Sequence, residues 1–139
     1  MILARSIKTA NFINLNAQRP FAWGDWDCNL FVADLLDHID ADMPWRSQAI
    51  RGKYSTRLGA ARFQHRYTPA PEWVEQQGFI LTTKHSRDFR EHDIILEPKK
   101  RYWTASLYFA GRTWSVVEEQ GLAMNTVESG TYMVGEFNG

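Results

Sequence analysis

A chain of 139 residues with 44% hydrophobic and 14% aromatic content is sized for one packed domain and is not a disordered tail. Equal numbers of acidic and basic residues give zero net charge. With no basic stripe interleaved with aromatics, this argues against nucleic acid as a partner. The single cysteine excludes an internal disulfide, and no apolar run is long enough to span a membrane.

Ser6 is a fair N-cap, and Ile7, Ala10, Ile13 and Ala17 recur at helical spacing. This predicts a first helix from about Ile7 to Gln18, ended by Pro20. A second helix is predicted from Cys28 to Ile39, with a stripe of Phe31, Val32, Leu35, Leu36 and Ile39 and a cap from Asp25 or Asp27. Asp40 to Pro44 reads as a turn. Ser47 to Phe63 reads as helix in pieces, broken at Gly52 and Gly59. Pro71 to Gln77 reads as a short helix ending at Gly78.

The last third changes character. Ile94–Leu96, Tyr102–Phe109, Thr113–Glu118, Leu122–Val127 and Tyr132–Phe137 read as strands, punctuated by Gly111, Gly121 and Gly130. Lys99-Lys100-Arg101 reads as a solvated hairpin turn. Helices followed by strands predict an α+β domain with an antiparallel sheet, the helical half over about 1–80 and the sheet half over about 92–138.

Cys28 falls where a turn rich in Gly, Asp and Trp runs into the second helix. A thiol in the first turn of a helix feels unpaired N–H groups, which favour the nucleophilic thiolate. A small buried residue is the alternative reading of the same position. Six tryptophans are many for this length. Trp23 and Trp26 frame the Cys28 turn and are expected inside. Several of Trp45, Trp73, Trp103 and Trp114 are expected to be exposed as interface anchors.

A cysteine at a helix start followed by an antiparallel sheet resembles the papain-like fold of NlpC-type cell-wall peptidases. The segment Trp23-Gly24-Asp25-Trp26-Asp27-Cys28-Asn29-Leu30-Phe31-Val32 carries the resemblance. The chain resembles more closely a family of phage and prophage proteins related to that clan and encoded among tail genes. The residues in common are Arg19-Pro20-Phe21, Trp23-Gly24, Asp27-Cys28, Phe31 and Ala33-Asp34, then Arg51-Gly52, Tyr54, Thr56, Gly59-Ala60 and Arg62, two motifs about twenty residues apart. Further on, Asp93-Ile94-Ile95-Leu96 and Gln120-Gly121-Leu122 match in layout only.

The resemblance implies an α+β, papain-like domain with Cys28 at the nucleophile position. It also implies a histidine at the start of the second strand, where this chain has Thr104, and a glycine before Asp93, where it has His92. Thr cannot take a proton from a thiol. Of the four histidines, His38 lies some 15 Å along the Cys28 helix at roughly 1.5 Å per residue, and His65 and His85 read as exposed. His92 is therefore the remaining candidate base, and no histidine is expected within hydrogen-bond reach of Cys28. Arg51, Gly52 and Tyr54 line a groove near Cys28 or lock the helical half onto the sheet. No metal or other cofactor is expected, because one cysteine and scattered histidines show no ligand spacing.

Two functions follow from the resemblance. One is a phage tail-tip or tail-assembly component of NlpC-like descent, degenerate and structural. The other is an active cysteine endopeptidase or amidase that cuts peptidoglycan peptides during cell-wall penetration. The apolar stretch at the N-terminus is too short for a signal peptide. The expected setting is the virion, after synthesis in the bacterial cytoplasm, with other tail-tip or baseplate proteins as partners.

Overall fold

The computed structural model describes residues 2–40 and 42–137, with side chains from Ala4 onward. Ala41, inside the turn expected over Asp40–Pro44, and Asn138, at the end of the expected sheet half, lie outside the described residues. The described chain runs α1 (Ile2–Asn16), α2 (Cys28–Ile39), a 3-10 turn (Arg46–Ala49), α3 (Arg57–Arg66), α4 (Ala70–Gln76), β1 (Ile80–His85), a second 3-10 turn (Ser86–Asp88), β2 (Ile94–Pro98), β3 (Trp103–Phe109), β4 (Arg112–Val117), β5 (Gly121–Asn125) and β6 (Thr131–Glu136). The strands form one antiparallel sheet in the order β1-β6-β2-β3-β4-β5. This is the α+β class, helices first and sheet after.

Helix α2 is central because its sequence is apolar on two sides. Phe31, Val32, Leu35 and Leu36 pack on Ile94 and Leu96 of β2, Ala105 and Leu107 of β3, and Val116 of β4. Leu30 and Ala33 face the other way, onto Ile50, Tyr54, Phe63 and Trp73. Each Val, Leu, Ile or Phe among them taken wholly from water contributes about 1.5–3 kcal/mol, so α2 fixes both layers at once. Phe12 of α1 and Val74 of α4 complete the sheet-side core. Phe89, Ile95 and Val134 form a smaller cluster with Tyr108, Val127 and Tyr132 on the opposite face.

The expected span of α2 matches the structure, and Asp27 is its cap, accepting from Asn29 N at 3.1 Å and Leu30 N at 2.9 Å. Other expectations are corrected. Helix α1 begins at Ile2, with Ser6 inside it, because Leu3, Ala4 and Arg5 are good helix formers that need no cap at Ser6. Gly59 lies within α3 and breaks nothing. The Thr56 hydroxyl caps Gly59 N at 3.0 Å, and a Cβ there would sit 3.1 Å from that of Tyr54. Strand β1 falls between the two expected halves, where no element is predicted; its Ile80, Thr82 and Thr83 suit a strand, and it pairs with β6 along its whole length. The Lys99–Arg101 turn does join β2 to β3, and Ala110-Gly111, both at positive φ, form the two-residue turn from β3 to β4.

Of the tryptophans expected at the surface, Trp45 is 53% exposed, while Trp73, Trp103 and Trp114 pack partly buried against the core. Trp26 is fully buried between Phe12 and Phe31. Trp23 is half-buried, edge-on to Phe21 and Tyr102. No helix among the described residues is long and apolar enough to cross a membrane.

Candidate functional site around Cys28

The loop before Cys28 is shaped by Gly24, whose φ of +81° and lack of a side chain let the backbone of Tyr54 cross it. A Cβ at Gly24 would lie 1.8 Å from Tyr54 O. Gly52 N donates to Gly24 O at 2.8 Å. Asp27 gathers the two segments, accepting from Gly24 N at 3.0 Å and from the Tyr54 hydroxyl at 2.7 Å on the oxygen that its cap bonds leave free. With four donors on one carboxylate, Asp27 is 1% exposed and its acceptor capacity is used.

A second layer of charge surrounds this knot. Arg51 forms a two-pronged pair with Asp34 at 3.0 and 2.6 Å and also reaches Asp25 at 3.1 Å. Arg19 lies 3.3 Å from Asp25 and 3.7 Å from Asp34. Burial tends to raise the Asp25 pKa, but the hydrogen bonds from Arg51 and Arg19 outweigh it and hold the carboxyl below its usual range. Arg51, Gly52 and Tyr54 therefore clamp the loop that carries Cys28.

The Cys28 thiol is buried at the first position of α2. Burial and the neighbouring Asp27 carboxylate push its pKa up to about 12. The backbone N–H groups of Ala105, Asn29 and Cys28 itself pull the other way without prevailing. The helix-terminus effect expected from the sequence is thus overridden by desolvation and by the capping carboxylate. At neutral pH the group is a thiol.

Below it, β3 and β4 separate. They pair only from Leu107↔Trp114 to Phe109↔Arg112, and beyond that the Ser115 hydroxyl donates to Ala105 O at 2.8 Å. A cavity of about 440 Å³ opens at this split, with Cys28, Trp23, Tyr102 and Ala105 among its walls. The freed edge of Trp103 is closed by Gln64, whose Oε1 accepts from Trp103 N at 3.0 Å and whose Nε2 donates to Trp103 O at 2.9 Å. Asn29 adds a longer bond to the same oxygen at 3.4 Å. No motif in the sequence marks Gln64, and its role comes wholly from the split.

Thr104 lies near the start of β3, as expected, but it does not face the helix. Ala105 and Leu107 point into the core with α2, so Thr104 shares the far side of the strand with Ser106 and Tyr108. The residue opposite Cys28 is Ala105. His92 is 1% exposed, and its Nε2 lies 2.8 Å from the Thr9 hydroxyl, with Phe109 and Phe137 against the ring. Burial, then the positive charge of Arg5, lower its pKa to about 4. Its φ of +72° explains why a glycine suits this turn. Its backbone N–H is held by Tyr108 O at 2.8 Å. Asp93 closes the same turn, accepting from Arg90 N at 2.9 Å and pairing with Lys84 at 2.8 Å. His38 stacks near Phe12, His85 caps the second 3-10 turn, and His65 is exposed. Among the described residues, Cys28 makes no hydrogen bond to a histidine, and no three His, Cys, Asp or Glu side chains gather as a metal site.

The family model described as a domain of unknown function, DUF6950, matches residues 5–132, and the chain belongs to that family. No curated protein and no solved structure matches it.

Proposed function

We propose that this DUF6950 member is a structural component of a phage tail tip or tail assembly, of NlpC-like, papain-fold descent, whose peptidase chemistry has lapsed. One observation carries the reading. Cys28 stands at the helix start over β3, yet its thiol is buried with a pKa of about 12 and bonds no histidine among the described residues. A thiol without a base neither attacks a carbonyl at useful rates nor protonates a leaving amine. The Asp27–Tyr54–Gly24 knot and the Arg51–Asp34 pair hold that turn rigid, which serves a scaffold whether or not it cuts.

The second reading is an active cysteine endopeptidase or amidase acting on peptidoglycan peptides. The cavity beside Cys28 and the backbone N–H groups aimed at the sulfur favour it. Complementation separates the two. A phage lacking this gene is supplied with wild-type protein or with Cys28→Ser, and infectious particles and muropeptide cleavage are measured. The structural reading predicts equal titres and no cleavage by either protein. Loss of infectivity together with loss of a cleavage product in Cys28→Ser overturns it.

A further inference from the structure

Helix α3 and the turn between β2 and β3 face one another across a cleft of about 620 Å³. Arg62 and His65 line it from the helix, and Lys99, Lys100 and Arg101 from the turn. All five are exposed. Arg19, Arg46, Arg51, Arg57, Lys84 and Arg90 each have a carboxylate within ion-pair distance. Among the described residues, the four Lys and Arg of the cleft have none, as is also true of Lys8, Lys53, Arg66, Arg87 and Arg112, but only in the cleft do four such cations line one cavity. The two walls are not free to drift apart, because the paired bonds from Gln64 to Trp103 tie α3 to the start of β3. The like charges are thus held together in advance of any partner, which reduces the ordering cost of binding. Leu58, 45% exposed, and Tyr102 give the cleft apolar wall for methylene stems.

We propose that this cleft docks an acidic segment of a partner protein. Carboxylates match the guanidinium forks of Arg62 and Arg101 and the ammonium groups of Lys99 and Lys100. A protein segment fits better than a nucleic acid for two reasons. The cations line one cleft on a chain of zero net charge, whereas a phosphate backbone is followed by an extended run of cations. Glu118, paired with Arg57 one residue before Leu58 of the cleft, and Glu97, two residues before Lys99, carry negative charge close by in the chain that opposes a longer polyanion. The inference stands apart from the fate of Cys28.

The test is fluorescence anisotropy of a labelled oligoglutamate peptide and of an oligothymidylate of matching length, titrated with the full chain at low and moderate salt. Oligoglutamate is expected to bind, more weakly as salt rises. The Arg62→Glu/Lys100→Glu variant is expected to bind it at least about tenfold more weakly. The neutral Arg62→Gln/Lys100→Gln pair is expected to fall between the two. Arg112→Glu, exposed at the β3–β4 turn, is expected to bind as wild type, and circular dichroism checks that each variant is folded. No oligoglutamate binding, equal binding by the folded charge-reversed variant, or tighter binding of oligothymidylate overturns the proposal.

Discussion

The Tyr54 hydroxyl donates to Asp27 Oδ2 at 2.7 Å, and this bond joins segments 27 residues apart in the chain. Asp27 is the cap of α2 and the neighbour of Cys28, so the residue that sets the thiol's place is itself positioned from the second motif. After burial, the same carboxylate is the next cause raising both the thiol pKa and the Tyr54 pKa. What fixes the turn therefore also keeps Cys28 protonated.

Tyr54→Phe removes the hydroxyl and leaves the ring on Phe63. Asp27 keeps its three backbone donors, so the variant is expected to fold and to lose roughly 1–3 kcal/mol. The shift of the urea midpoint measures it. No shift would mean that the knot is not held by this bond.

Gly24 and Gly52 both have positive φ, but only Gly24 is overlain by backbone; a Cβ at Gly52 meets nothing within 4 Å. Gly52→Ala should cost only the left-handed conformation, about 1–2 kcal/mol. Gly24→Ala should cost clearly more, because Tyr54 O must move and its segment with it. Parallel denaturant titrations give the comparison, and equal losses would contradict the close crossing.

The sequence showed α2 from its first residue to its last because the apolar stripe, the Asp27 cap and the turn that follows agree there. It did not show β1. Ile80 to His85 carries no alternation strong enough to stand out, and its pairing with β6 is made by a segment some fifty residues later. At the site, the Gly-Asp-Trp-Asp-Cys turn was legible as a helix start bearing a thiol. What surrounds the thiol was not. Desolvation of Cys28, the Thr9 partner of His92 and the Gln64 clasp on Trp103 all depend on chain segments brought together by folding. The parity of β3 also escaped: Ala105, not Thr104, faces inward, because the split from β4 and the packing on α2 decide which face is buried.

That parity makes a prediction. Thr104→His places an imidazole on the side of β3 away from α2, so the alkylation rate of Cys28 should match wild type across neutral pH. An increase would mean that the strand turns position 104 toward the thiol.

His92 gives the fold a pH dependence whose sign is fixed. Its native pKa of about 4 lies below the ordinary value of 6.5, so the unfolded chain takes up the proton first as pH falls. Its contribution to stability is full above about pH 6.5 and is lost progressively toward pH 4, by up to about 3 kcal/mol. His92→Asn, which tolerates the left-handed backbone, should flatten this slope whatever it does to stability at neutral pH. Stability curves of both proteins from pH 4 to 7 measure it; parallel curves would show that His92 is not the titrating group.

Because Cys28 is the only cysteine, the alkylation rate of the native protein against pH reads its thiolate directly. Iodoacetamide labelling followed by intact mass, on folded and urea-unfolded protein, tests the central claim that this position no longer holds an activated nucleophile. The unfolded chain should titrate near the ordinary thiol value of about 8.5, while the folded protein stays unreactive until well above it. A folded-state rate that rises with an apparent pKa below about 7 would contradict the account and restore the peptidase.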